Sequence, residues 1–438
     1  MFETGKNVVD DLYPAGFNNN EYPFEVLVSH TCSYFRQVAL ATPRLWTALS
    51  IHENCLDEFL AEYIARSGQC LVDIRVDLTV HKLQMDETRL NATIQMILPL
   101  SFRWRSLSIT YDCENARYPL ISKLCNQPAK ALRHLSITVD DVDHADASIV
   151  NRDIAFPHIF KEGTPTLEFV RLRGLAIHLF RPQLENVVTL HLDQTIFIPV
   201  PYSTFRNIVT CSPVLAHLSI YGDIIATAQW PEGATPIHLP ALQSLRICGV
   251  AGETYAGLLL GIHAPRLNSL TLKDLHPHDL DLLWDVVDVS RYTSLRSLIF
   301  CDFEPPVSTY THIFKTFQEI IAFTSLHSSA SESILVDLLL EGALPGQAGS
   351  LVPWPKLQML SFPFNTYGDD GELIGDVAEV RRDCGYPISK VLLGRTLEEM
   401  VAGEISVRVR DIQVESCWRT EVWPTNGTQF DHDDGLFS

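Results

Sequence analysis

The stretch from residue 215 to residue 272 repeats one phrase: LAHLSI at 215–220, LQSLRI at 242–247 and LNSLTL at 267–272. In each copy an apolar residue is followed by two others, a second apolar residue, one other and a third apolar residue. The alternation in the second half is typical of a short β-strand with one buried face. Such a recurring strand cannot bury its apolar face alone, so it must pack against its neighbours.

Further copies lie on both sides of this stretch, and the central spacing of about 25 to 28 residues fits leucine-rich repeats. These copies begin at Leu132, Leu167, Val187, Leu295, Leu335 and Leu357, with weaker ones at Leu71, Trp104 and Ile388. We therefore predict an α/β leucine-rich-repeat solenoid, shaped as a horseshoe, over residues 71–423. Longer gaps predict insertions at 140–160 and 301–333.

Five copies carry a proline two residues before their first apolar residue. These prolines are Pro165, Pro213, Pro240, Pro265 and Pro355. Proline ends a helix and is tolerated at the first position of a strand. One-sided apolar patterns precede two of them, at 202–209 and 258–262, so the predicted unit is a helix, a proline and a strand.

Composition and charge argue against several functions. The formal net charge of −20, from 33 basic and 53 acidic residues, disfavours nonspecific binding to nucleic acid and to anionic membranes. The 10 cysteines form no Cys-x-x-Cys pair, and the N-terminus has no signal-peptide pattern. We therefore expect reduced thiols and a cytoplasmic or nuclear location.

The ends of the chain differ from the repeats. Residues 1–22 are polar and are predicted to be a flexible N-terminus, and residues 424–438 are predicted to be a disordered acidic tail. The apolar segment PFEVLVSHTCSYFRQVALATPRLWTALSI occupies residues 23–51. Its pattern predicts one amphipathic helix that stops at Thr42-Pro43, and a second helix is predicted over residues 56–66.

Part of this apolar segment resembles the second half of an F-box. The form is that of fungal, basidiomycete-type F-box proteins with irregular leucine-rich repeats. The matching positions are Val28-Ser29-His30 before Cys32, Phe35-Arg36 at the family's Trp-Arg position, and Thr42-Pro43-Arg44-Leu45-Trp46. Together with the irregular repeats, the resemblance extends from about residue 24 to residue 420.

The resemblance implies a non-catalytic substrate receptor of a cullin-type (SCF) ubiquitin ligase. In that family the F-box helices bind a Skp-type adaptor, and the repeats bind the protein to be ubiquitinated. The implied adaptor contacts are Val28, Cys32, Phe35, Arg36, Pro43, Leu45 and Trp46. An apolar helix pair at one end of a repeat array also makes physical sense as a docking surface.

Two other hypotheses remain open. The chain lacks the family's opening Leu-Pro-x-Glu-(Ile/Leu) segment, so residues 23–70 are predicted to be a truncated F-box-like segment. The first alternative is therefore a leucine-rich-repeat scaffold with a degenerate F-box that no longer binds the adaptor. The second is an α/β hydrolase-type enzyme, which requires a nucleophile and a base in contact within a pocket.

The sequence contains no catalytic motif that would support the enzyme hypothesis. The sequence has no Gly-x-Ser-x-Gly, phosphate-loop or His-Glu-x-x-His motif, so we expect no catalytic residues, no cofactor and no metal site. His276-Pro277-His278 is interpreted as a surface loop, because histidines that flank a proline point apart.

The strand pattern also predicts a substrate surface. Residues that alternate with the buried leucines point to the opposite, concave face. The candidates are Arg171, Arg173, His191, His217, Tyr221, Arg246 and Lys273. Arginine, tyrosine and histidine suit recognition, and the basic side chains indicate an acidic or phosphorylated protein partner. For any one of them, the alternative is an ordinary solvated strand position.

Overall fold

The chain forms two compact units, Met1–Gln183 and Leu184–Ser438. A computed structural model describes residues 23–51, 57–78, 87–111, 122–139, 157–196, 198–226, 230, 236–250, 252–276, 278–284, 289–302, 305–326, 332–341, 352–362, 369–394, 402, 405, 412–416 and 423. The predictions of a flexible N-terminus and an acidic tail lie outside these residues, as does most of the predicted insertion at 140–160.

The first unit combines short helices with a parallel ladder of strands. Its helices are α1 (Phe24–Thr31), α2 (Ser33–Leu40), α3 (Asp57–Ser67), α4 (Glu87–Ile97) and α5 (Ala176–Leu179), with 3-10 helices at Pro43–Trp46 and Leu98–Arg103. Its strands are β1 (Ala48–Ile51), β2 (Val72–Leu78), β3 (Trp104–Tyr111), β4 (His134–Val139) and β5 (Phe169–Gly174). Each strand pairs in parallel with the next in chain order.

The single helix predicted over residues 26–39 is wrong, because the chain breaks at Cys32. Cys32 is extended, with φ −160° and ψ 171°, between α1 and α2. The hydroxyls of Ser29 and Thr31 donate to carbonyls in the preceding turn, which competes with continuation of the helix. The Arg36 Nε–H then donates to the Ser29 carbonyl over 2.9 Å and satisfies an acceptor at the end of α1.

The second unit repeats the same parallel pairing over a longer ladder. Its strands are β6 (Thr189–Asp193), β7 (His217–Tyr221), β9 (Ser244–Cys248), β11 (Ser269–Lys273), β12 (Ser297–Cys301), β13 (Ala322–Leu326), β14 (Met359–Phe362), β15 (Lys390–Leu393) and β16 (Gln413–Ser416), in that spatial order. The short strands β8 (Ile237–His238) and β10 (Ile262–His263) form a separate parallel pair.

Helices alternate with these strands. They are α6 (Tyr202–Thr210), α7 (Gly252–Gly261), α8 (Asp281–Trp284), α9 (Val307–Thr316), α10 (Glu332–Glu341) and α11 (Asp369–Asp383), with a 3-10 helix at Val289–Tyr292. The two helices predicted before Pro213 and Pro265 are therefore present as α6 and α7. The mixed α/β architecture with parallel strands is confirmed.

The apolar residues of the repeated phrase form the core of the second unit. One row across four adjacent strands is aligned in register and at most 1 % exposed: Leu218, Leu245, Leu270 and Leu298. The helices add to the same core, because Phe205 of α6 and Leu258 of α7 are fully buried. The inward direction predicted for the leucines is therefore confirmed.

The repeated prolines lie in tight turns. At all five positions the N–H of the first apolar residue donates to the carbonyl of the residue before the proline, as from Leu267 to Ala264 over 3.1 Å. Proline thus takes the second position of a β-turn, where its fixed φ is favoured. The same hydrogen bond forms at Leu132, Val187 and Leu295, which lack the proline. The turn, more than a preceding helix, is the common feature of these copies.

Residues with left-handed backbone conformation follow several strands. Gly222, Asp274 and Asp302 come directly after β7, β11 and β12, with φ of 75°, 54° and 49°. Glycine adopts this conformation without strain, and aspartate tolerates it better than most residues. At Gly222 there is also no room for a side chain, because a Cβ atom would collide with the Gln194 carbonyl oxygen.

The sequence interpretation of residues 301–341 is wrong in two places. The phrase that begins at Leu335 belongs to α10, where Leu335 and Leu339 are buried one helical turn apart. The strand of this repeat is β13, inside the predicted insertion. Its phrase reads Ile320, Phe323, Ser325, and the serine in the last apolar position hid it.

Candidate functional site

We define the outer face of the second unit as the side of the ladder opposite the aligned leucines, which the sequence analysis called the concave face. It carries those predicted binding residues that lie on β6, β7, β9 and β11. His191 on β6, Ser219 on β7 and Arg246 on β9 stand in register across three adjacent strands. His217 on β7 pairs with Ser244 on β9 in the neighbouring row. Alternation along each strand therefore places these five side chains on one face.

This face is not open to solvent, contrary to what the sequence led us to expect. His191, Arg246 and Lys273 are 1 %, 5 % and 9 % exposed, and His217 and Tyr221 are half-buried. A solvated strand position is therefore the wrong interpretation for the three buried residues. Buried polar and charged side chains require partners, so the contacts of this face decide what it does.

The main contact is the indole of Trp423, far along the chain. Its ring centroid lies 5.1 Å from that of His191 and 5.8 Å from that of His217, with the ring planes nearly perpendicular at 84° and 77°. Its Nε1–H donates to Ser244 Oγ over 2.6 Å. We call His191, His217, Ser244 and Arg246 the indole site.

Arg246 lies over the face of the same indole. Its Cζ is 4.7 Å from the ring centroid, which is the geometry of a cation–π interaction. Such contacts contribute about 0.5–2 kcal/mol, more when both groups are removed from water. Trp423 is 6 % exposed, so the interaction lies at the desolvated end of this range.

The charge of the indole site comes from its arginine. Burial lowers the pKa of His217 below its ordinary value, because the imidazolium would lose its hydration. The His217 imidazole is therefore neutral near pH 7, and it packs against the indole without repelling Arg246. Lys273, two strands away on the same face, lies 3.3 Å from an Asp302 carboxylate oxygen.

Arg171 and Arg173 belong to the first unit. They lie on β5, opposite Ser136 and Thr138 of β4. Arg171 is buried and Arg173 is half-buried. Of the predicted substrate-binding residues, the indole site contains only His191, His217 and Arg246.

A buried histidine on the first unit was not singled out by the sequence. His134 on β4 is 8 % exposed, and its ring centroid lies 5.9 Å from that of Phe169. Burial, together with the positive charges of Arg105 and Arg133, lowers the pKa of His134 to about 4. The Arg105 guanidinium is itself held by Asp73.

We expect the stability of the first unit to fall in mild acid because of His134. Its pKa is 6.5 in the unfolded chain and about 4 in the folded one, so only the unfolded chain binds the proton between these values. Stability is full above pH 6.5 and falls by up to about 3 kcal/mol as the pH approaches 4. Urea denaturation at several pH values should show a flatter profile for His134→Gln. The matched control is His30→Gln, at an exposed position in α1, and an unchanged His134→Gln profile would contradict the assignment.

The predicted adaptor-binding residues fall into two sets. Cys32, Arg36 and Pro43 are exposed, and Val28 and Phe35 are half-buried. Leu45 and Trp46 are 1 % and 0 % exposed. Leu45 and Trp46 are therefore core residues that support the helices, in contrast to the exposed positions expected for direct contacts.

Trp46 is the centre of this support. Its Nε1–H donates to the Ala39 carbonyl at the end of α2 over 2.9 Å. The ring of Tyr63 meets it edge-on at 5.0 Å, and Arg66 Cζ lies 4.3 Å from the centroid. The Tyr63 hydroxyl in turn donates to the Glu25 carboxylate of α1 over 2.7 Å. Trp46 and Tyr63 together therefore join α1, α2 and α3.

The candidate chemistry of the other histidines is weak. His276 Nδ1 lies 3.4 Å from Asp279 Oδ2, and His278 Nδ1 lies 2.9 Å from Asp281 Oδ2. Each imidazole thus contacts its own carboxylate. Within the described part of the chain, no group of three or more His, Cys, Asp or Glu residues is placed to hold a metal ion.

No family model matches the chain, and no curated protein matches it. Among the residues for which the structure gives a placement, no helix combines the length and apolar character needed to cross a bilayer. The function must therefore be argued from the surfaces described above.

Trp423 and Ser244 are the residues that sequence reasoning missed. Ser244 occupies the variable position directly before the second leucine of its phrase, and its outward direction follows from the pattern. Trp423 carries no periodic signal, and it lies 179 residues from the serine that it contacts. Only the tertiary structure brings the two together.

Proposed function

We propose that this chain is a non-catalytic protein-binding subunit, built as a leucine-rich-repeat solenoid, that serves as the substrate receptor of a cullin-type (SCF) ubiquitin ligase. In this proposal the N-terminal helices bind a Skp-type adaptor, and the outer face of the strands binds the protein to be ubiquitinated. The observation that carries the proposal is the distribution of exposed apolar side chains.

These side chains concentrate near the N-terminus. Among the described residues, nine large apolar side chains are exposed, and five of them lie between residues 27 and 71. The five are Leu27, Tyr34, Leu40, Phe59 and Leu71. Exposed apolar side chains that concentrate in one segment favour burial by a partner protein.

The support beneath this surface favours the same conclusion. Leu27 on α1 and Tyr34 on α2 are 53 % and 68 % exposed, although both helices are tied to the fully buried Trp46 through α3 and Ala39. A pre-ordered helix pair loses little conformational freedom on binding, which favours affinity. This arrangement fits a helical docking surface for an adaptor.

The test is capture of the full chain by a purified Skp-type adaptor. Leu27→Glu combined with Tyr34→Glu should weaken capture by about tenfold or more, because each change places a charge in the apolar contact. Val307→Glu is the matched control, since Val307 is also exposed, at 52 %, but lies in the second unit. Its capture should equal that of the unaltered chain.

Two outcomes would count against the proposal. Equal capture of the Leu27/Tyr34 variant and the Val307 variant would remove these helices as the docking surface. Failure of the unaltered chain to bind, even with a Leu-Pro-x-Glu segment added before residue 23, would favour the repeat scaffold that no longer binds the adaptor.

A further inference from the structure

The indole site differs from the surroundings of the core tryptophans. Trp354 packs in the core against the rings of Phe314 and Phe323, at centroid distances of 4.8 Å and 5.0 Å. Trp423 instead lies on the opposite side of the ladder, where its indole contacts His191, His217, Arg246 and Ser244. Such a site recognises an indole by its shape, its N–H donor and its electron-rich face.

The outer face also carries buried hydroxyl groups next to the residues that contact Trp423. Ser219 stands in register between His191 and Arg246, and Thr271 continues the row on β11. They are 0 % and 1 % exposed, and neither hydroxyl has a hydrogen-bond partner among the described residues. Leaving buried hydroxyls without partners costs about 1–3 kcal/mol each, so a permanent core would avoid them. A surface that receives a ligand retains them for bonds to that ligand.

We propose that the indole site binds a tryptophan side chain of a partner protein, and that Trp423 occupies the site as an internal ligand until the partner displaces it. This inference rests on the proposed protein-binding function and specifies its chemistry.

The internal ligand sets the scale of the competition. A ligand group that belongs to the same chain competes intramolecularly, at an effective concentration of about 1 mM. A free peptide that binds the empty site with a Kd of about 0.1 mM would therefore bind the occupied site about tenfold more weakly. Removal of Trp423 should strengthen the binding of an external tryptophan by that factor.

The experiment uses the full chain and a fluorescein-labelled peptide that copies residues 419–428, with binding followed by fluorescence anisotropy. Trp423→Ala should bind this peptide about tenfold more tightly than the unaltered chain does. Trp284→Ala is the matched control: Trp284 is a half-buried tryptophan of the same unit, stacked on His312 with a centroid distance of 5.4 Å. The Trp284→Ala substitution should leave the peptide affinity unchanged. A peptide with alanine in place of tryptophan should bind neither the unaltered chain nor Trp423→Ala.

A second comparison tests the N–H contact. In the Trp423→Ala chain, a peptide with phenylalanine in place of tryptophan should bind about 2- to 10-fold more weakly, because it cannot donate to Ser244. Adding Ser244→Ala should remove most of this difference. A difference that persists unchanged would mean that the peptide lies elsewhere.

The unaltered chain provides a readout that does not depend on the folding of a variant. With 5-fluorotryptophan incorporated, the 19F resonance of Trp423 is the one that disappears in Trp423→Phe. Saturating peptide should move this resonance towards the position of an exposed indole. A resonance that stays in place, or a folded Trp423→Ala chain that binds no more tightly than the unaltered chain, overturns the inference and makes Trp423 a fixed core residue.

These outcomes are separate from those of the adaptor test. Trp423→Ala leaves α1 and α2 intact, so adaptor capture should not change. Peptide competition without adaptor capture would retain the indole site and remove the ligase role. Adaptor capture without peptide competition would remove only this inference.

Discussion

Replacing Trp46 with alanine should lower the free energy of unfolding of the N-terminal part of the first unit by about 3–5 kcal/mol. The Trp46 side chain is fully buried, and the substitution removes its hydrogen bond to Ala39 and its ring contacts with Tyr63 and Arg66. Native-state hydrogen exchange on peptides from α2 and α3 measures this change, because these helices depend on the same side chain.

Tyr34→Ala is the control for this experiment. Tyr34 lies on α2 close to Trp46 in the sequence but is 68 % exposed, so its truncation should change stability by about 0.5 kcal/mol or less. If the two substitutions have similar effects on exchange, Trp46 does not anchor the helices. A large effect of Trp46→Ala alone would agree with its reassignment from contact residue to support.

Replacing Leu245 with alanine should cost about 2–5 kcal/mol, because it leaves a cavity in the middle of the ladder. Leu245 is 1 % exposed and stands in register between Leu218 and Leu270, so neighbours on both sides lose contacts. The measurement is urea denaturation of the second unit, followed by hydrogen exchange at β9 and its neighbouring strands.

Ser219→Ala tests the direction of the strand faces. Ser219 is as buried as Leu245, but it points to the outer face, and its hydroxyl has no hydrogen-bond partner among the described residues. Removing that hydroxyl should therefore leave stability unchanged or raise it, in contrast to the loss expected for Leu245→Ala. Equal costs for the leucine and serine variants would mean that the two faces are wrongly assigned.

The repeated phrase was a reliable guide to the central strands of the second unit. It located the strands that contain Leu218, Leu245 and Leu270, together with the face that each buries. It failed at β13, where Ser325 takes the last apolar position, and at Leu335, where the same spacing lies on a helix. A short apolar pattern fits both a strand and one side of a helix, and only pairing with neighbouring strands separates them.

The candidate site was predictable only in part. The pattern placed His191, His217 and Arg246 on one face, because side chains alternate along a strand. It did not reveal that this face is covered, since its main contact, Trp423, comes from a segment without periodicity. The break at Cys32 was missed for a related reason: hydrogen bonds from Ser29, Thr31 and Arg36 decide it, and a hydrophobic pattern does not record them.

The amino-acid sequence by itself determined the local units of this protein: strands with one leucine face, turns closed before that face, and parallel pairing in chain order. The strands and turns follow from side-chain alternation and backbone geometry, which act over a few residues. The tertiary structure alone decided which polar residues are buried and what covers them. Those contacts join residues as distant as Ser244 and Trp423, and their energies arise from burial and hydrogen bonding that exist only after the chain has folded.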